Sequence, residues 1–276
     1  GRARGVDHDG IALDNGQHIL IGAYRDTLAL MRRVGADPDS LLLRQPLALL
    51  DADGHGLRLP RGAAVPAFVR AVLGLRSWPL GERWQLLAAA LRWRLAGFEA
   101  NPTASVADLT RQLPARARQT LVEPLCVAAL NTPAAQASAQ VFLRVLRDAL
   151  FSGRGAADLL LPRVPLSALL PAPAAQWLAA AGAELRCASR VGSLAACGPG
   201  WSLDSETFDA VVLACTASEA ARLAQPLAPA WAARAAAFDY EPIVTVYLHC
   251  PGSRLAQPMT VLAASPEHPA QFAFDL

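Results

Sequence analysis

Apolar residues recur along this chain at two spacings, and the switches between them divide it into segments. Within residues 17–34 the apolar positions Leu20, Tyr24, Leu28, Met31 and Val34 fall at helical spacing. Arg32 and Arg33 occupy the last turn of that predicted helix, and Gly35 is placed to close it. Its start is expected near Gly16-Gln17-His18, where free backbone N–H groups would suit an anion as readily as an ordinary polar cap. Residues 47–51 and 57–59, joined through Asp53-Gly54-His55-Gly56, predict a β-hairpin, because Asp-Gly supplies the positive φ of such turns. His55 is read as a turn residue only.

Residues 65–151 keep helical spacing throughout. Helices are predicted over 65–75, 82–96, 105–113, 114–130 and 134–151. Ser105 with Asp108 forms a capping-box pattern with a shorter acid, Pro124 must kink or divide its helix, and Asn131-Thr132-Pro133 interrupts the pattern. Five helices with no strand between them suggest an inserted helical subdomain. Trp78, Trp84 and Trp93, with arginines between them, resemble an interfacial surface, although packing in a helical core accounts for them better.

Beyond Gly153-Arg154-Gly155 the character changes. A short helix over 173–181 precedes strands at 184–187, 190–194 and 201–203. Residues 208–215 form a nearly continuous apolar run, read as a strand buried on both faces, and Thr216 or Ser218 is the N-cap of a following helix. Strand, loop and helix in that order point to an open parallel sheet with ligands at its carboxyl edge. Residues 243–248 and 271–274 are the last predicted strands. The fold class is therefore α/β with mixed α and β elements and a helical insertion.

With 276 residues, 53% hydrophobic and 17% charged, the chain has a globular composition. It holds no apolar run of about 18 residues, and Asp7, His8 and Asp9 follow Arg2 and Arg4 where a signal peptide would be apolar. Every one of the 25 basic residues is arginine, but they are scattered, which argues against a nucleic-acid surface. Cys126, Cys187, Cys197, Cys215 and Cys250 form no CxxC pair and have no histidine cluster nearby, so neither a metal site nor a disulfide framework is expected, and free thiols in a reducing cytoplasm are. Phosphate-loop, nucleophile-elbow, zinc-protease and Gly-x-Gly-x-x-Gly motifs are absent, and Gly153-Arg154-Gly155 follows no predicted strand. Asp14 and His18 are the close acid–imidazole pair, with Gly16 between them working against a shared helical face.

The opening Gly1-Arg2-Ala3-Arg4-Gly5, followed by Leu13-Asp14-Asn15-Gly16-Gln17-His18, resembles the segment after the dinucleotide-binding unit in FAD-dependent amine oxidases and phytoene desaturases. Residues 13–24 (LDNGQHILIGAY), 130–139 (LNTPAAQASA), 159–170 (LLLPRVPLSALL) and 240–248 (YEPIVTVYL) are similar, in order, to the hydroxysqualene dehydroxylase family of hopanoid biosynthesis. The resemblance implies an FAD domain with an open sheet and a substrate domain with a mixed sheet and helices. It apportions residues 1–40 and 161–225 to the first and 41–160 and 226–276 to the second.

It further implies that Gly1 and Arg2 end a pyrophosphate turn, that Val191 meets the adenine, and that Ala214 and Cys215 lie near the flavin. Asp14, Gln17 and His18 would face flavin and substrate, with His18 as proton donor oriented by Asp14. Tyr24 and Asn131 would serve a polyprenyl substrate, reached at the membrane surface by a cytoplasmic, peripheral enzyme. The family's Gly-x-Gly-x-x-Gly and closing Gly-Asp motifs have no match, so the resemblance is to a central fragment, expected to bind FAD weakly or not at all. A carotenoid or phytoene desaturase, another flavoenzyme of the amine-oxidase type and a non-catalytic polyprenyl-binding module are the alternatives.

Overall fold

The computed structural model describes residues 3–16, 18–265 and 267–275. They fall into two units, Gly1–Ala180 with Ile243–Leu276, and Ala181–Pro242. The mixed α/β character is borne out, but the strands form several small sheets, and every strand pair among the described residues is antiparallel.

The larger unit opens with the hairpin β1 (Gly5–His8) and β2 (Ile11–Asp14). Its two-residue turn is Asp9-Gly10, both at positive φ, and the Asp7 carboxylate accepts from the Gly10 N–H. Next comes β3 (Leu20–Ile21), and only then helix α1 (Arg25–Arg33), with Tyr24 at its N-cap. The predicted helix start at Gly16-Gln17-His18 is thus corrected by about two turns. Leu20 and Ile21 pair with Leu160 and Leu159 of a strand that arrives much later in the chain, and that pairing takes them out of the helix. Leu28 and Met31 are buried, as the spacing requires.

After α2 (Pro38–Leu41), strand β4 (Leu42–Gln45) lies on the other edge of that same late strand. The hairpin β5 (Ala48–Leu50) and β6 (Gly56–Arg58) forms as expected. The Asp51 carboxylate accepts from the N–H groups of Asp53 and His55, so His55 is a turn residue. The ligand-type atoms of Asp51, Asp53 and His55 lie within 4.8 Å of one another, all on exposed residues; this turn accounts for their closeness.

The helical insertion comprises α3 (Ala64–Leu73), α4 (Leu80–Leu95), α5 (Val106–Thr110), α6 (Ala115–Ala117), α7 (Glu123–Leu130) and α8 (Ala139–Leu146). Both halves of the predicted capping box are made, Ser105 Oγ accepting from the Asp108 N–H and Asp108 from the Ser105 N–H. The division expected at Pro124 is a π-helical turn over Arg118–Val122, which leads into α7 without needing the missing proline N–H. A second π-helical turn, Arg147–Phe151, follows α8. Phe68, Val72, Val106, Leu121, Cys126, Phe142 and Leu143 fill the core, together with Leu49 and Leu57 of the hairpin. Phe151 stands 5.5 Å from Phe68 and 5.3 Å from Phe98, ring to ring. Trp78 is buried in this core and Trp93 half-buried, while Trp84 is exposed.

Strand β7 (Leu159–Pro162) sits between β3 and β4, and α9 (Leu166–Leu169) and α10 (Pro171–Ala180) follow it. In the smaller unit β8 (Leu194–Cys197), β9 (Gly200–Leu203) and β10 (Glu206–Phe208) form an antiparallel meander. Helices α11 (Ala217–Ala224) and α12 (Pro229–Ala236) pack through Ala221, Ala232 and Ala235. Thr216 is the N-cap of α11, accepting from the Glu219 N–H.

Three strand expectations fail here. Residues 184–187 are irregular, and Arg186 is drawn into ion pairs with Glu184 and Glu206. The strand read at 190–194 begins only at Leu194. The apolar run 208–215 leaves the sheet at Phe208 and continues with no ladder partner among the described residues, leaving Val212 88% exposed. Residues 243–248, in the larger unit, are likewise unpaired, with Val244 83% exposed, whereas β11 (Met259–Val261) and β12 (Phe272–Phe274) do pair. A β-branched pattern alone does not make a strand, which also needs a neighbour to pair its N–H and C=O groups.

Candidate functional site

Strand β2 delivers Asp14 to a corner where three remote segments meet. Its Oδ1 accepts from the Leu166 N–H at 2.9 Å, so a carboxylate from the other end of the unit caps the first residue of α9. Its backbone carbonyl accepts from the Tyr247 hydroxyl at 2.9 Å and from the Gly16 N–H at 2.8 Å. Burial, and then the Asp14 charge, raise the pKa of the Tyr247 hydroxyl, while its bond to the Asp14 carbonyl acts in the opposite direction.

His18 is exposed, with Nδ1 3.0 Å from the Gly16 carbonyl. In the neutral ring that contact places the proton on Nδ1 and leaves Nε2 as an acceptor. The orientation of His18 therefore comes from Gly16 rather than from Asp14, whose Oδ1 is committed to α9. Gly1, Arg2 and Gln17, expected at the flavin, lie outside the described residues.

A second junction lies just beyond. The N–H groups of Gly22 and Ala23 donate to the carbonyls of Asp158 and Ala156, both at 2.9 Å. A side chain on Gly22 would meet the Gly155 carbonyl at 1.9 Å, so only glycine fits. Arg44 pairs with Asp158 at 3.1 Å beside this contact. Gly153-Arg154-Gly155, unassigned by motif, thus serves to let two backbones touch. Tyr24 follows this junction and is exposed. Asn131 caps α7 in the left-handed conformation at φ 51°, also exposed, on a different element.

In the smaller unit the Val191 and Gly192 carbonyls accept from Arg222 at 2.7 and 2.8 Å, and the Asp204 carboxylate receives the N–H groups of Gly192 and Ser193. Glu219 is held below its ordinary pKa by Arg222, with Arg190 adding to the effect. Sequence reasoning missed this clasp. The acid and arginine partners lie 11 to 31 residues away, and no local spacing marks them. Ala214 and Cys215 are exposed, and the Ala214 N–H donates to the Val212 carbonyl. Two open concavities have other walls: Pro38, Leu42, Arg44 and Leu160 line one, and Glu99, Asn101, Thr103 and Arg111 the other.

The family described as flavin containing amine oxidoreductase matches residues 1–266, and the chain belongs to it. This is a family of flavin oxidoreductases, with FAD the implied cofactor. No curated protein matches the chain. The described residues of neither unit, taken by itself, form a cradle for FAD. The Val191 carbonyl and Ala214 N–H are engaged within the unit, and Gly22, the glycine between β3 and α1, is covered by Gly155 instead of facing a phosphate.

Proposed function

We propose that the chain belongs to a flavoenzyme acting on a polyprenyl lipid, and that the reaction is reductive removal of the hydroxyl from hydroxysqualene, which with two electrons and two protons, the electrons supplied by a reduced cofactor, gives squalene and water. Support comes from the family match over residues 1–266 and from the resemblance of four segments, in order, to hydroxysqualene dehydroxylases. The observation that carries the reading is the corner built by residues 13–24, where Asp14 is locked by Leu166 and Tyr247 while His18 keeps Nε2 unengaged among the described residues.

In this reading Asp14 is a positioning residue that fixes the corner, and protonated His18 delivers a proton to the departing hydroxyl oxygen. Tyr24 and Asn131 contribute to the surface met by the polyprenyl chain. The test is product analysis of the natural gene product with hydroxysqualene and, separately, phytoene. Squalene from hydroxysqualene is expected, with His18→Gln lowering kcat about a hundredfold or more at similar KM. Desaturated phytoene would assign the chain to the desaturases instead. Lipid binding without turnover of either compound would make it a binding module.

A further inference from the structure

Helix α4 is apolar on two opposite sides, and only one of them is covered. Leu86, Ala89 and Ala90 face the core of the insertion. At about 100° per residue, Leu80, Trp84, Ala88, Leu91 and Leu95 fall within an arc of roughly 80° on the far side. The four large residues of that stripe are between 56% and 79% exposed. It runs the length of the helix, roughly 22 Å from Leu80 to Leu95. A continuous exposed stripe of this kind differs from the scattered surface leucines of ordinary proteins.

The flanks are cationic. Arg92 lies about 40° beyond one edge of the stripe and Arg94 about 40° beyond the other. Both are exposed, and neither has an acidic partner among the described residues. The one acid of the helix, Glu82, lies toward the opposite side, half-buried, with Arg116 3.9 Å away.

We propose that this face of α4 docks on an anionic lipid bilayer. The stripe would enter the headgroup–acyl boundary with the helix parallel to the surface, and the two arginines would reach up to lipid phosphates on either side. Charge selects this occupant over a second copy of the chain. Two copies joined along the stripe would bring arginines together on both flanks with no acid on the exposed half of either helix, whereas anionic headgroups complement both. The proposal concerns a surface remote in sequence from the Asp14 corner and stands whichever substrate the enzyme takes.

Co-sedimentation of the whole chain with vesicles of phosphatidylcholine, with and without phosphatidylglycerol, tests it. Binding is expected only with the anionic lipid, weakening as salt rises. Leu91→Glu with Leu95→Glu should weaken it at least tenfold at unchanged circular dichroism, and Arg92→Gln with Arg94→Gln should do the same while abolishing the salt dependence. Brominated lipid should quench tryptophan emission in the wild type and far less in Trp84→Phe. Absence of binding, equal binding to neutral vesicles, or variants that bind like the wild type would each overturn the proposal. So would a dimer, seen by sedimentation velocity, that the leucine substitutions split while vesicle binding stays absent. Because the readout is adsorption, it can fail while squalene formation succeeds, and the reverse.

Discussion

Cys126 has no exposed surface, and its thiol lies 3.4 Å from the Thr132 carbonyl. Burial, and after it the Glu123 charge, push its pKa up to about 11. In native protein at pH 8 we expect iodoacetamide to modify Cys187, Cys197, Cys215 and Cys250, all exposed, and to spare Cys126 until the chain is unfolded. The sign for stability follows from linkage. The folded thiol holds its proton more tightly than the unfolded one, so this contribution is complete below about pH 9 and is lost as pH rises toward 11. Urea titrations should show an alkaline loss on the order of 2 kcal/mol that Cys126→Ala removes. At the corner, Asp14→Ala deletes the cap on Leu166 and should cost about 1–3 kcal/mol, whereas Tyr247→Phe removes one neutral hydrogen bond and should cost about 1 kcal/mol. Equal costs for the two would mean that the Asp14 carboxylate contributes nothing beyond a neutral contact.

Among the elements, the tightest constraint is the backbone crossing at Gly22. Gly22→Ala places a methyl group 1.9 Å from the Gly155 carbonyl, so β3 and the segment before β7 must part. We expect a loss of about 3 kcal/mol or more in chemical denaturation, against at most a few tenths for Gly81→Ala, where the added methyl meets nothing. The capping box, the β5–β6 hairpin and the buried stripe of α1 were legible from sequence because each is decided within a few residues. So was the turn Asp9-Gly10, although it went unread between the unalternating residues of β1 and β2. What was not legible depends on partners far away. Leu20 and Ile21 fit a helix by spacing and a strand by pairing with Leu159 and Leu160, and only the second partner decides. At the site, spacing set Asp14 beside His18, but Asp14 is bound by Leu166 and Tyr247, 152 and 233 residues away, and His18 by the carbonyl of Gly16.

At the scale of the molecule, two apolar runs among the described residues stand exposed without a ladder partner. Residues 243–248 carry no charge, proline or glycine, and present β-branched side chains beside unpaired backbone, the composition that templates strand addition between molecules. Val244→Lys with Val246→Lys should slow the growth of light scattering at 37 °C with no loss in Tm; unchanged scattering would place the sticky surface elsewhere. The purified chain should carry well below one flavin per molecule, as its described residues lack a cradle. A stoichiometric flavin spectrum after gel filtration would contradict that.

The knot at Asp14 has a consequence for the order of events during synthesis. The β1–β2 hairpin needs only its own turn and can close as soon as it is made. Its carboxylate then waits for Leu166, and its carbonyl for Tyr247, made 233 residues later. At about 5–20 residues per second the ribosome needs roughly 12 to 47 s to supply that hydroxyl. The corner that holds His18 is thus begun well before it can be completed, and the hairpin's exposed Asp7, His8 and Asp9 suit it to the wait in water.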